Sequence, residues 1–291
     1  MTTRSQRAAL LHRPARHLPD AWRDRVAATA VAALLGELET WPKPGLVSHI
    51  DSGSHGDMDA ATFRASTAAL APFFAELAAA GAAGASMDLL RRIGLRAETA
   101  MLKATRGVNT HRGAVFGLGL LCAAAGAVGD MQRDPGQICA TVARRWGPAI
   151  LRGPIPLRSH GTDALRRYGA GGARAQAAEG FPHAIHVGLP ALRLGRRLAP
   201  AEPEAARVQA FFALLATLED TNLLHRGGTA GSHFARAAAA GFLDCGGVGQ
   251  AGWRDRAAAI HGAFVARRLS PGGCADLLAL TLFLDALEAG T

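Results

Sequence analysis

Gly113-Ala-Val-Phe-Gly-Leu-Gly-Leu-Leu-Cys-Ala-Ala-Ala125 carries no charged side chain on any helical face. A helix that is apolar all round belongs inside a protein, so this segment predicts a buried central helix. Gly113 and Gly117 fall four residues apart, on one face, where the missing side chains permit a close helix contact. The rest of the chain keeps the same period. Trp22, Val26, Val31, Leu34, Leu35 and Leu38 mark a helix over Asp20–Thr40, stopped by Trp41-Pro-Lys-Pro-Gly45. A helix begins near Asp57, where Ser54 and Asp57 resemble a capping pair, and Phe63, Leu70, Phe74 and Leu77 share its inner face; Pro72 is positioned to kink it. Further helices are expected at Met87–Thr105, Pro135–Trp146, Thr162–Tyr168, Leu189–Leu198, Glu204–Glu219, Ser232–Gly241, Trp253–Arg267 and Cys274–Glu288. Alternating strand patterns are scarce. The expected fold is all-α, a compact multi-helix globular domain. Residues 1–19 form a loosely ordered basic arm and residues 20–291 a single all-α catalytic domain.

Composition narrows the function. The chain has 291 residues, 49% of them hydrophobic but only 5% aromatic, so Ala and Gly supply a tightly packed core. A net charge of +9 favours polyanionic ligands, yet no unbroken basic run marks a dedicated nucleic-acid tail. Cys122, Cys139, Cys245 and Cys274 form no CxxC pair, which argues against a zinc ribbon, a redox motif or a disulfide framework. No signal peptide is visible. Ala114–Val128, taken as the longest apolar stretch, has about 15 residues, short of the roughly 20 that span a bilayer. A cytoplasmic protein without membrane attachment is expected.

Four polar, glycine-containing segments interrupt this apolar chain, each at a predicted helix end: Pro42–Val47 continuing into Gly53–Asp59, then Gly107–Gly113, Glu219–Gly228 and Ser270–Leu278. Helix N-termini present free N–H groups and a positive dipole end, which suit phosphate. Asp57 and Asp59 are placed to reach one Mg²⁺, as are Glu219 and Asp220. The plainer alternative makes Asp57 a helix cap and Asp59 a solvated first-turn acid. Lys43, stiffened between two prolines, is a phosphate contact or an exposed turn lysine. His111 can serve acid–base chemistry, while Asn109 or Thr110 can cap a helix. His183 and His186 lack a third ligand at motif spacing. Gly247-Val-Gly249-Gln-Ala-Gly252 matches a dinucleotide fingerprint in letters only, because no βαβ unit surrounds it.

Together these segments resemble the triphosphoribosyl-dephospho-CoA synthase family. The shared pattern is Glu37 ahead of PKPGLV at Pro42–Val47, GSHGDM at Gly53–Met58, GVNTHRG at Gly107–Gly113, DTNLLHRGG at Asp220–Gly228 and SPGGCADLLA at Ser270–Ala279. The resemblance spans Val26–Leu284 and looks most like the malonate decarboxylase-associated branch, with the citrate lyase branch as near neighbour. Two positions depart from the pattern: Ser48 stands where many members carry an acid, and Trp41 replaces a smaller residue. If that acid bound metal, the role passes to Asp57, Asp59 or another carboxylate.

The resemblance implies transfer of the triphosphoribosyl group of ATP to the 2′-hydroxyl of 3′-dephospho-CoA, with loss of adenine. This is glycosyl transfer through an oxocarbenium-like state. It implies Lys43, Arg112 and Arg226 on phosphates; Asp57, Asp59, Glu219 and Asp220 as Mg²⁺ ligands or base; and His55 and His111 in acid–base or orienting roles. Asn109, Thr110 and Asn222 would orient ribose or phosphate, while Gly227, Gly272 and Gly273 admit the backbone close to the ligand. The product would pass to a transferase acting on an acyl carrier protein subunit. The oligomeric state stays open, with a homodimer compatible. Two rivals predict different outcomes: an all-α Mg²⁺-dependent nucleotide hydrolase, which needs no dephospho-CoA, and a non-catalytic basic helical module that binds RNA or a carrier protein.

Overall fold

The structure, a computed structural model, describes residues 18–154, 167–168 and 171–290. Eleven α-helices and no strand are found among them: α1 (Asp20–Leu38), α2 (Ala60–Ala82), α3 (Met87–Ala104), α4 (Arg112–Val128), α5 (Pro135–Arg152), α6 (Gly172–Ala178), α7 (Leu189–Leu198), α8 (Pro203–Thr217), α9 (Thr221–Asp244), α10 (Trp253–Ala266) and α11 (Gly272–Ala289). The fold is all-α, and α4 is its centre. Leu118 to Gly126 are buried without a break, and α1, α2, α3, α5 and α11 pack around them.

Small residues set these distances. A Cβ added at Gly81 of α2 would lie 1.8 Å from the Ala123 carbonyl oxygen, and one at Gly126 of α4 would lie 1.9 Å from that of Ala78. The two backbones therefore touch, which only glycine permits. On the next face of α4, Gly113 meets Asp276 and Gly117 meets Leu280, both on α11. The close helix contact expected at Gly113 and Gly117 is present, and the four-residue glycine spacing is matched by a four-residue spacing on α11. Trp22 on α1 ties in the far end of α4 by donating from Nε1 to the Ala125 carbonyl at 3.2 Å.

Several boundaries differ from expectation. α2 starts at Ala60, and its cap is Asp59, whose Oδ1 accepts from the Thr62 N–H at 2.8 Å. Ser54 instead donates to the Leu269 carbonyl at 2.7 Å. α5 continues past Trp146 to Arg152 despite Pro148, because burying Trp146 and Ile150 outweighs one lost backbone bond. α9 begins at Thr221, so Asp220–Gly228 is not a loop before a helix at Ser232. Asp220 caps it, and Gly228, at φ 60° and ψ −161°, is non-helical and kinks α9 between two helical segments. α6 and the π-turn Ala184–Gly188 had no clear periodic signal. The helix expected at Thr162–Tyr168 lies outside the described residues except for its last two, which are helical, and the basic arm lies outside them up to residue 17. Gly247–Gly249 is a short 3₁₀ turn between helices.

Ala114–Val128 is the longer uncharged stretch of the two, but α2 is the longer apolar helix, with Arg64 and Glu76 in it. The 23 residues of α2 are long and apolar enough to cross a membrane by length and composition alone. It packs against α1, α3 and α4, so helix surfaces rather than lipid cover its inner side.

Candidate active site

The N-terminal ends of α4, α9 and α11 meet at a cleft of about 1150 Å³. Its polar lining includes Asn109, Arg112, Glu219, Asp220, Asn222 and Asp276, and its apolar lining includes Leu77, Met87, Leu90, Phe116, Leu120 and Phe181. Three of the four polar segments therefore open into one cavity. Three helix N-termini beside it supply a field that favours anions.

Asp276 lies at the centre of this meeting point. A Cβ on Gly113 would fall 1.9 Å from its Oδ2, so the carboxyl occupies the space that the glycine leaves. It accepts from the Ala114 N–H in the first turn of α4. Burial pushes its pKa well above the usual carboxylate range, and the neighbouring Glu37 and Asp220 push it further. Asp220 is better satisfied. It accepts from Asn222 N–H at 2.8 Å, from Leu223 N–H at 3.3 Å and, through Oδ2, from Cys274 N–H at 2.8 Å. One carboxylate thus caps two helices, α9 and α11. Burial raises its pKa, and the three N–H donors oppose that rise. A Cβ on Gly273 would meet Asp220 Oδ2 at 3.0 Å, and one on Gly272 would meet Asn222 Nδ2 at 2.8 Å, so both glycines keep this junction tight.

Behind the cleft wall lies a buried polar layer. Lys43 is 1% exposed and Glu37 4% exposed. Lys43 Nζ binds the Glu37 carboxylate closely and donates to the Glu37 carbonyl at 2.8 Å. Burial lowers the Lys43 pKa and raises that of Glu37, each opposed by the partner's charge. His111 is also buried. Its Nδ1 lies 2.6 Å from Ser66 Oγ, which in turn accepts from Thr110 Oγ1 at 2.8 Å, and its Nε2 has no partner. Burial, then the Lys43 charge, lowers its pKa to about 3. His261 bridges the Lys43 carbonyl, at 3.0 Å from Nδ1, and Asp51 Oδ1, at 3.2 Å from Nε2. Ser48, the departure from the family pattern, accepts at Oγ from Ile50 N–H at 3.2 Å and Asp51 N–H at 3.3 Å, holding the turn that presents Asp51.

One turn along α9 from Asn222, Arg226 forms a second group. It donates to the Ser54 and Arg268 carbonyls, each at 3.3 Å, and approaches His55 Nδ1 at 3.4 Å. His55 Nε2 lies 2.8 Å from Ser270 Oγ, and Asp57 is 3.8 Å from its Nδ1. Burial and then Arg226 lower the His55 pKa, against the opposing pull of Asp57. Gly227 faces the Leu269 side chain rather than the cleft, so its small size serves packing. On the cleft itself, Asn109 Oδ1 accepts from Arg112 N–H at 3.2 Å, and Arg112 pairs with Glu98 at 3.1 Å.

Of the expected residues, the structure brings Asn109, Arg112, Glu219, Asp220, Asn222 and Gly273 to the cleft lining, with Gly272 against Asn222. Lys43, Thr110 and His111 stand behind it, and His55, Asp57 and Arg226 stand beside it. Asp59 and Asp220 engage their carboxylates in helix caps, and no group of three His, Cys, Asp or Glu side chains assembles for a metal among the described residues. The four acids expected at Mg²⁺ therefore do not form a preformed metal cage. His183 pairs through Nδ1 with Gln176 Nε2 at 2.9 Å. Sequence reasoning left two central acids, Asp276 and Glu37, out of the site. Both stood inside the recognised pattern, and the glycine spacing at 113 and 117 was the signal for the first.

The ATP:dephospho-CoA triphosphoribosyl transferase (CitG) family matches residues 23–291. A probable 2-(5''-triphosphoribosyl)-3'-dephosphocoenzyme-A synthase of Stutzerimonas stutzeri is 43% identical over 281 residues, covering 94% of each chain. Proteins described in the same words from Pseudomonas paraeruginosa and Azotobacter vinelandii are 40% and 41% identical, each covering 91% of this chain and 91% and 92% of their own lengths. No solved structure matches the chain. The chain belongs to the ATP:dephospho-CoA triphosphoribosyl transferase family and is a transferase of that class.

Proposed function

We propose that the cleft holds ATP and 3′-dephospho-CoA together and joins the ATP ribose to the dephospho-CoA 2′-hydroxyl, releasing adenine. The observation that carries this reading is the size and convergence of the site. Its volume of about 1150 Å³ exceeds the roughly 300–1,000 Å³ of a pocket for one small ligand. Arg112 and the N–H groups at the starts of α9 and α11 suit a triphosphate, and Asn109 and Asn222 suit ribose hydroxyls. Glu219, exposed on the cleft, suits the base that takes the proton of the attacking hydroxyl. The apolar lining excludes water, which would otherwise divert ATP to free triphosphoribose. Lys43, paired with Glu37, supports the cleft from behind rather than gripping phosphate directly. His55 and Arg226 border the phosphate end.

In this reading Mg²⁺ arrives on the triphosphate as part of the substrate, since Mg²⁺ commonly keeps its waters and a few phosphate oxygens. One catalytic domain spans residues 20–291. The product serves as prosthetic-group precursor for the acyl carrier subunit of malonate decarboxylase, in the cytoplasm, and passes to the transferase that loads that subunit. Sequencing the neighbouring genes tests that assignment: malonate decarboxylase genes there would support it, and citrate lyase genes would move the product to the other pathway. The reaction itself is tested by chromatography of adenine. Release must require dephospho-CoA; release at an equal rate from ATP alone replaces the transferase reading with a hydrolase.

A further inference from the structure

We propose that Asp276 is the proton donor to the departing adenine; this rests on the reading of the cleft given above. Three neighbouring carboxyls meet here, and their surroundings differ. Glu37 has Lys43 as a close cationic partner. Asp220 accepts three backbone N–H groups. Asp276 faces the cleft, accepts one N–H, from Ala114, and has no ion pair among the described residues. It is therefore the acid of the three that retains a proton, and the one placed to give it to a ligand. The titratable groups that act on it are Glu37 from α1 and Asp220 and Cys274 at the α9–α11 junction, and Arg112 lines the same cleft. Burial raises the pKa of Asp276, which favours the protonated form in the same direction.

In the step, the C1′–N9 bond breaks and its electron pair leaves with adenine. The Asp276 proton passes to an adenine ring nitrogen. The dephospho-CoA 2′-oxygen bonds to C1′, and its proton passes to Glu219 and then to water. Proton exchange with water afterwards returns the starting states of both carboxyls.

The test uses the full-length enzyme with ATP, Mg²⁺ and dephospho-CoA. Asp276→Asn keeps the shape and one acceptor for the Ala114 N–H, and circular dichroism checks its fold. Its kcat should fall by roughly 10²–10⁴-fold with little change in either KM. With 7-methyl-ATP, whose base carries a fixed positive charge and leaves without taking a proton, the loss should shrink at least tenfold. Wild-type kcat on ATP should decline on the alkaline side, and the residual rate of the variant should lack that decline. A variant within about threefold of wild type overturns the proposal, as does a wild-type kcat that stays flat on the alkaline side. The second of these needs no variant to fold. If wild-type enzyme forms no joined nucleotide, the reading of the cleft itself has failed instead.

Discussion

Replacing Gly113 by alanine sets two effects of opposite sign against each other. In an ordinary helix the change stabilises by roughly 0.5–1 kcal/mol, because glycine loses more backbone entropy on folding. Here the new Cβ would sit 1.9 Å from Asp276 Oδ2 and 2.9 Å from its Cγ, while real Cβ contacts stay beyond 3.0 Å. The carboxyl or the whole of α11 must retreat by about 1 Å. Overpacking of this kind costs roughly 1–3 kcal/mol, so the net effect is destabilising. The melting temperature should fall by a few degrees. A shift of about 1 Å at a reacting group costs on the order of 10²-fold in rate, so turnover should fall further than stability alone explains. Thermal melting and adenine-release kinetics on the same preparation measure both. A variant that melts at or above wild type with unchanged turnover refutes the reasoning about α4 and α11.

Lys43→Met should destabilise by roughly 3–5 kcal/mol by leaving the Glu37 charge buried, and adding Glu37→Leu should recover most of that loss in chemical denaturation. Asp220→Ala should cost roughly 2–4 kcal/mol, because it removes two helix caps and strands the Cys274 N–H; a loss below about 0.5 kcal/mol contradicts the double-cap assignment. His111 is neutral when folded, with its pKa lowered to about 3, and titrates near its ordinary 6.5 when unfolded. Below that value the unfolded chain binds the extra proton, so stability should fall by up to about 1.4 kcal/mol per pH unit on acidification toward pH 3. Melting curves across pH should show a slope of that sign that flattens in His111→Gln. Gly228→Ala should lower stability by about 1 kcal/mol or more at its positive φ, measured in the same way.

The fold was legible where helical period and composition agreed. The all-apolar run around Leu118 had one place to go, and α3 and α7 began and ended within a residue of expectation. Boundaries set by side-chain caps were harder. Asp59, not Asp57, starts α2, because its extended backbone lets Oδ1 reach the Thr62 N–H. Asp220 turned an apparent loop into the first turns of α9. The site was legible as motifs but not as depth. Nothing in the order of residues shows that Lys43 folds back onto Glu37 or that His111 faces away from solvent, since both depend on contacts between distant helices. Asp276 was hidden for the same reason. Its role emerges only when α11 lies against Gly113.

The most direct test of the account is mass spectrometry of the purified protein incubated with ATP, Mg²⁺ and 3′-dephospho-CoA. The account predicts one new species, equal to both nucleotides less adenine, formed in equal amount with free adenine. Adenine or phosphate released without that joined species, at a rate indifferent to dephospho-CoA, contradicts it.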